Sequence, residues 1–121
     1  MPNTYTPISA SGSTRGRIIQ IAASATPGTI LHTVSTTATD FDYISIWAWN
    51  KDTIDRTLNL EFGGTGTTDR ISYIIEAGKP PYCIIDRWDI KGNSTADVVR
   101  CFGSVANQLF VKLVVYRVAT V

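Results

Sequence analysis

The run Phe41-Asp42-Tyr43-Ile44-Ser45-Ile46-Trp47-Ala48-Trp49-Asn50 decides the fold class. Successive side chains of an extended chain point to opposite faces. Ile44, Ile46 and Ala48 therefore share one face, and Tyr43, Ser45, Trp47 and Trp49 share the other. Fifteen residues on, Arg56–Phe62 alternates more simply. Leu58, Leu60 and Phe62 read as inward, and Thr57, Asn59 and Glu61 as outward, the pattern of a one-sided antiparallel strand.

Working outward in both directions, similar short runs recur between turn signals spaced about 8–12 residues apart, the mark of a sandwich or barrel. They are Arg17–Ala25, Thr29–Ser35, Phe41–Asn50, Arg56–Phe62, Arg70–Glu76, Tyr82–Trp88, Ala96–Phe102 and Leu109–Ala119. The punctuation between them is Thr26-Pro27-Gly28, Asn50–Thr53, the glycine-rich Gly63–Asp69, Ala77–Pro81 and Asp89–Thr95. No segment shows a capped 3.6-residue period. The stretch Tyr82–Ile85 predicts burial on both faces. The expected fold is all-β: an antiparallel β-sandwich of about eight strands, of jelly-roll or Greek-key type, with a flattened barrel as its rival. Residues 17–121 form the single sandwich domain. Residues 1–16, rich in Ser, Thr, Pro and Gly, form an extended N-terminal arm, either frayed or ordered on a neighbouring subunit.

Composition agrees. The 14 Ile, 9 Val and 16 Thr are about a third of the 121 residues, and β-branched residues fit a pleated surface. The 25 Thr and Ser outnumber the 21 charged residues. An exterior made polar by hydroxyls costs less to desolvate against a partner than one made of Lys and Glu. A net charge of +1 leaves no electrostatic footprint for nucleic acid. No apolar run approaches the length of a membrane helix, and Met1–Arg17 has no apolar signal region.

The residues that carry chemistry elsewhere are sparse. His32 is the only histidine. It reads as a strand histidine with a satisfied hydrogen bond, since no nucleophile elbow accompanies it. Cys83 and Cys101 with one His do not make a zinc set, and a reducing compartment predicts two free buried thiols. The acidic pairs Asp40/Asp42, Asp52/Asp55 and Asp86/Asp89 lack a calcium pattern. No catalytic residue, metal or cofactor is expected. Trp47 and Trp49 are expected in the core. Exposed, they would form an aromatic strip suited to sugar stacking or a protein interface.

The run Ser11–Thr33 (SGSTRGRIIQIAASATPGTILHT) resembles the opening of small virion proteins of tailed bacteriophages, the capsid decoration or cement proteins. Trp47–Asn50 and Leu60–Thr65 resemble two further strands of that family. The chain departs from the family at Arg15-Gly16-Arg17-Ile18, where Asn-Gly-Arg-Pro is usual. The resemblance implies a β-sandwich, often a homotrimer, that binds the major capsid protein on the outer surface of an expanded, DNA-filled head without catalysis, so that it resides in the virion after synthesis in the host cytoplasm. A protein that binds only the expanded lattice stabilises it by mass action, and several simultaneous contacts add avidity. Thr14, Arg15 and Arg17 of the arm are the expected contacts with the capsid, followed by Gly64 and Thr65 of the glycine-rich loop and Trp88. The alternatives are a head–tail joining or tail protein, and a carbohydrate-binding β-sandwich module.

Overall fold

A computed structural model describes residues 4–119. Nine strands form: β1 (Thr4–Ile8), β2 (Ile19–Gln20), β3 (Thr29–Thr33), β4 (Asp40–Asn50), β5 (Arg56–Gly63), β6 (Arg70–Ile75), β7 (Tyr82–Lys91), β8 (Val98–Gly103) and β9 (Leu109–Ala119). A single turn of 3-10 helix, Thr67–Asp69, interrupts the glycine-rich loop. Among the described residues no helix is long and apolar enough to cross a membrane.

The strands divide into two antiparallel sheets. Sheet A has the order β1-β9-β4-β7, with β2 also on β9; sheet B has the order β3-β8-β5-β6. β4 pairs with β9 along the whole length of both, so β1 and β2 share the remaining side of β9 as two pieces of one interrupted strand. Counted that way, the first strand pairs with the last, and β3 with β8, β4 with β7 and β5 with β6 nest inside that pair. A long hairpin rolled up in this manner is a jelly roll.

The core lies between the sheets. Sheet A contributes Ile44, Ile46 and Ala48 from β4, opposite Val115, Leu113 and Val111 of β9. Sheet B contributes Leu31, Leu58, Leu60, Ile75, Val99 and Cys101. Each fully buried Leu, Ile or Val side chain contributes roughly 1.5–3 kcal/mol.

Four expectations change in the structure. The opening segment is extended but does not hang free. Thr4–Ile8 pairs with β9, and Ala10 is buried in the core. Pro7 fits there because an edge strand has a side that needs no N–H. The predicted strand Arg17–Ala25 shrinks to two residues. Beyond Gln20 the backbone bonds to strand ends instead, with Ile21 N–H donating to Leu109 at the start of β9 and the Ala23 carbonyl accepting from Gly103 at the end of β8. β7 is not buried on both faces. It is the free edge of sheet A, so Tyr82 and Cys83 are exposed and only Ile85 is fully buried, with Ile84 and Ile90 partly buried against the core. Finally, only Cys101 is a buried thiol; Cys83 is exposed, and both are free.

Candidate interaction surface

In an ordinary one-sided antiparallel sheet the solvent face is polar. The outer face of sheet A is not. β4 sets Phe41, Tyr43, Trp47 and Trp49 outward, opposite Val118, Tyr116, Lys112 and Phe110 of β9. β1 adds Tyr5 beside Val118 and Pro7 beside Tyr116. Trp47 and Trp49 are half-buried on this outer face, so the expectation that they lie in the core does not hold. The inner face went to Ile44, Ile46 and Ala48, each fully buried.

The aromatic side chains cover one another. The Trp49 and Phe110 rings stack 6.0 Å apart at 18°. The Lys51 ammonium lies 4.4 Å from the centre of the Phe110 ring, and that of Lys91 lies 5.9 Å from Phe41. At about 3.3 Å per residue and about 4.8 Å per strand, the four-stranded face measures roughly 700 Å². That approaches the ~800 Å² each partner contributes to a standard protein interface. Of its aromatic side chains Tyr5 and Tyr116 are exposed and Phe41, Tyr43, Trp47, Trp49 and Phe110 half-buried, which makes the face a candidate interaction surface.

At one end of the face, Tyr5, Tyr43, Tyr116, Asp86 and Arg87 line an open groove of about 870 Å³. A β-bulge in β7 shapes it. Two residues of β7, Asp86 and Arg87, stand opposite the single residue Ser45 between the partners of Ile46 and Ile44, and Arg87 takes a φ of 55°. The Arg87 N–H donates to the Ser45 hydroxyl at 2.9 Å, which leaves the Asp86 and Arg87 side chains projecting into solvent, 3.4 Å apart.

The sequence-predicted contact residues fall in two places. Thr14, Arg15 and Arg17 are exposed in the turn between β1 and β2. Arg15 and Gly16 both have positive φ there, and the Lys112 ammonium donates to the Gly16 carbonyl. Gly64 and Thr65 follow β5, near Asp69. Trp88, on the β7 edge, packs edge-on against Phe62 at 5.7 Å and is 44% exposed. β9 and β4 separate the first group from Trp88, so the two groups do not form one patch. Tyr5, Phe110 and Tyr116 were not singled out from the sequence. The signal was present in β9, whose residues Phe110, Val114, Tyr116 and Val118 are apolar or aromatic on the face away from the core.

Among the described residues, His32, Asp42 and Arg117 form a charged cluster at the edge of the core. Asp42 is fully buried. It accepts two hydrogen bonds from Arg117, at 2.8 and 2.9 Å, and approaches His32 Nε2 at 2.7 Å. His32 Nδ1 accepts from the Ser11 N–H at 3.1 Å, so Nε2 carries the proton and donates it to Asp42. Burial pushes the Asp42 carboxyl up, but the hydrogen bonds from Arg117 and His32 and the Arg117 charge outweigh it and hold the pKa at about 2. Both ring nitrogens of His32 are engaged, which leaves neither to activate a nucleophile. The cluster instead clips the opening segment: Ser11 Oγ also accepts from the Thr33 N–H at 2.6 Å. A second buried acid, Glu61, faces outward from β5 as expected, but lies beneath the turn before β3. It accepts from the Thr26 hydroxyl at 2.6 Å and the Gly28 N–H at 2.7 Å.

Of the paired surface acids, Asp52 bonds Arg56 at 2.7 Å and Asp55 accepts from the Ala77 N–H at 3.0 Å. Burial raises the Cys101 thiol pKa, and the nearby Glu61 charge adds to the shift.

No protein-family model matches the chain. No curated protein matches it either. Among solved structures it is similar to the CBM22-1–GH10 modules of the N-terminal endo-1,4-β-D-xylanase 10B of Clostridium thermocellum, crystallised with xylohexaose. The TM-score is 0.41 at 12% identity, over 98% of this chain and 25% of that one, so the chain spans about a quarter of that protein's length.

Proposed function

We propose that this chain is a structural protein of a phage virion, a decoration protein that lies on the outer surface of the expanded capsid and holds it together without catalysis. The observation that carries this reading is the aromatic outer face of sheet A. A monomer with no partner would leave that surface in water at considerable cost. The resemblance of Ser11–Thr33 to decoration proteins supports the major capsid protein as the partner. The two properties fit together. An expanded shell offers the same protein surface many times over, and a sandwich with a flat apolar face can adhere to each copy. Many modest contacts then sum to a stable coat.

Cryo-electron microscopy of purified particles tests it. The expected result is one density of this size at each repeated position of the head exterior, with sheet A turned toward its neighbours. Particles that package DNA normally but carry no such density on the head would overturn it.

A second reading, carbohydrate binding, draws on the same face, because Trp47 and Trp49 are outside the core. Sugar stacking needs a flat ring open to solvent. The Trp49–Phe110 stack spends ring faces on one another, which favours a protein partner. Quenching of tryptophan fluorescence by oligosaccharides, with no effect of capsid protein, would reverse that preference.

A further inference from the structure

The tyrosine groove holds an exposed carboxylate, Asp86, and the loop before β7 an exposed ammonium, Lys79, and the two sit apart on the same chain. The loop Ala77–Pro81 is fastened at its base: the Ala77 N–H donates to Asp55, and the Asn50 side chain donates to the Ile75 carbonyl. Beyond that base Gly78, with a φ of 73°, turns the chain outward, and Lys79, Pro80 and Pro81 are all exposed. Lys79 makes no ion pair among the described residues. Two consecutive prolines hold an extended shape that loses little entropy on docking.

The groove offers what such a segment needs. Aromatic-lined grooves bind extended proline-rich chain, with rings packing on the pyrrolidines. Tyr5 is 70% and Tyr116 43% exposed, so both rings are available. Asp86 supplies the opposite charge. Its pairing with Arg87 is between two largely exposed groups and contributes little, so the carboxylate can exchange Arg87 for an incoming ammonium.

We infer that Lys79-Pro80-Pro81 of one copy of this chain docks in the Tyr5–Tyr43–Tyr116 groove of a second copy, with Lys79 against Asp86. The occupant is a second copy and not the chain's own loop. Asp86 lies five residues along β7 from Pro81, about 16 Å of extended strand, and the loop leads away from the opposite end of that strand. Plug and socket are different surfaces, so the contact is heterologous and each copy can engage two neighbours. This deepens the reading of sheet A as an association face and rests on it. The groove end meets another copy, and the Trp47–Trp49–Phe110 end is left for the shell.

The test uses two full-length variants. Lys79→Glu with Pro80→Ala and Pro81→Ala disables the plug; Asp86→Lys with Tyr116→Ala disables the socket. All the substituted side chains are exposed, and circular dichroism checks that both variants fold. Sedimentation equilibrium from micromolar to millimolar concentration is expected to show wild-type self-association weakened about tenfold or more in either variant alone. An equimolar mixture of the two variants is expected to form one-to-one pairs and stop there, because each copy keeps a single competent half. A wild type that remains monomeric to millimolar concentration, variants that associate like the wild type, or a mixture that does not pair would each overturn the proposal. A peptide spanning residues 77–82, titrated into the wild type, is expected to shift the ring resonances of Tyr5, Tyr43 and Tyr116; unshifted rings overturn it. Co-sedimentation of the same variants with expanded shells separates the two ideas: shell binding without self-association removes the plug and leaves the shell reading in place.

Discussion

Tyr43 and Tyr116 stand directly opposite each other on β4 and β9, and both face away from the core. Their chain neighbours Ile44 and Val115 also stand opposite, on the inner face, and are buried. The central strands of sheet A therefore carry apolar side chains on both faces, the inner one packed in the core and the outer one half-buried at the surface.

Outer-face substitutions should separate binding from folding. Trp47→Ala with Trp49→Ala removes half-buried rings from the face away from the core. We expect the fold to persist at a cost of about 1–2 kcal/mol, mostly from the lost Trp49–Phe110 stacking and partial burial. Retention on expanded shells, measured by co-sedimentation, should fall about tenfold or more. Full retention by a folded variant counts against this face as the interface.

Arg117→Ala should destabilise the sandwich by about 2–3 kcal/mol. It leaves the buried Asp42 carboxylate with His32 alone, and an under-compensated buried charge is costly. Urea denaturation measures the difference. A shift within error would mean that Arg117, itself partly exposed, contributes nothing to holding Asp42.

Asp42 also fixes how stability responds to acid. Its pKa falls from 3.8 to about 2 on folding. A carboxyl with a depressed native pKa stabilises the fold fully above its unfolded value, and the contribution is lost as the pH falls through the native one. Roughly 2 kcal/mol should therefore disappear between about pH 4 and pH 2. Comparing the wild type with Asp42→Asn across this range checks it, because the variant should lack that component of the slope.

One thiol per chain should react with a disulfide reagent in the native state, and a second only on unfolding. Cys83 is exposed on the edge of sheet A, while Cys101 is enclosed in the core. Two rapid equivalents would show that the core opens readily around β8.

Gly28→Ala should disrupt the turn before β3. A Cβ there would lie 2.5 Å from the backbone carbonyl of Cys101, which cannot move without breaking the β3–β8 pairing. The expected cost is about 1–3 kcal/mol, read from thermal unfolding.

Much of this fold was legible in the sequence. The alternation in β5 and the turn signals around β4, β6 and β8 placed those strands within a few residues. The orientation of β4 was not legible, because Ile44–Ile46–Ala48 and Tyr43–Trp47–Trp49 are both apolar enough to fill a core. Nor was β1: a five-residue strand containing Pro7 has no periodicity to detect, and it gains its structure from β9, more than a hundred residues away. The candidate interaction surface was missed for a related reason. Its members come from β1, β4, β7 and β9, and only strand order brings Tyr5, Tyr43, Tyr116 and Arg87 to one groove.

The nested pairing also sets when the molecule can exist during synthesis. β9 lies between β1 and β4 and is made after every other described strand of the two sheets. Until it leaves the ribosome, β1 has no neighbour, β4 lacks one side, and Leu58 and Leu60 face an unfinished wall. A nascent chain stalled before Leu109 would hold sheet B and a loose β4–β7 ribbon with its aromatic side chains uncovered. Completion of the sandwich thus waits for β9, and truncation within β9 should divert the product to chaperones or inclusion bodies instead of yielding a smaller functional protein.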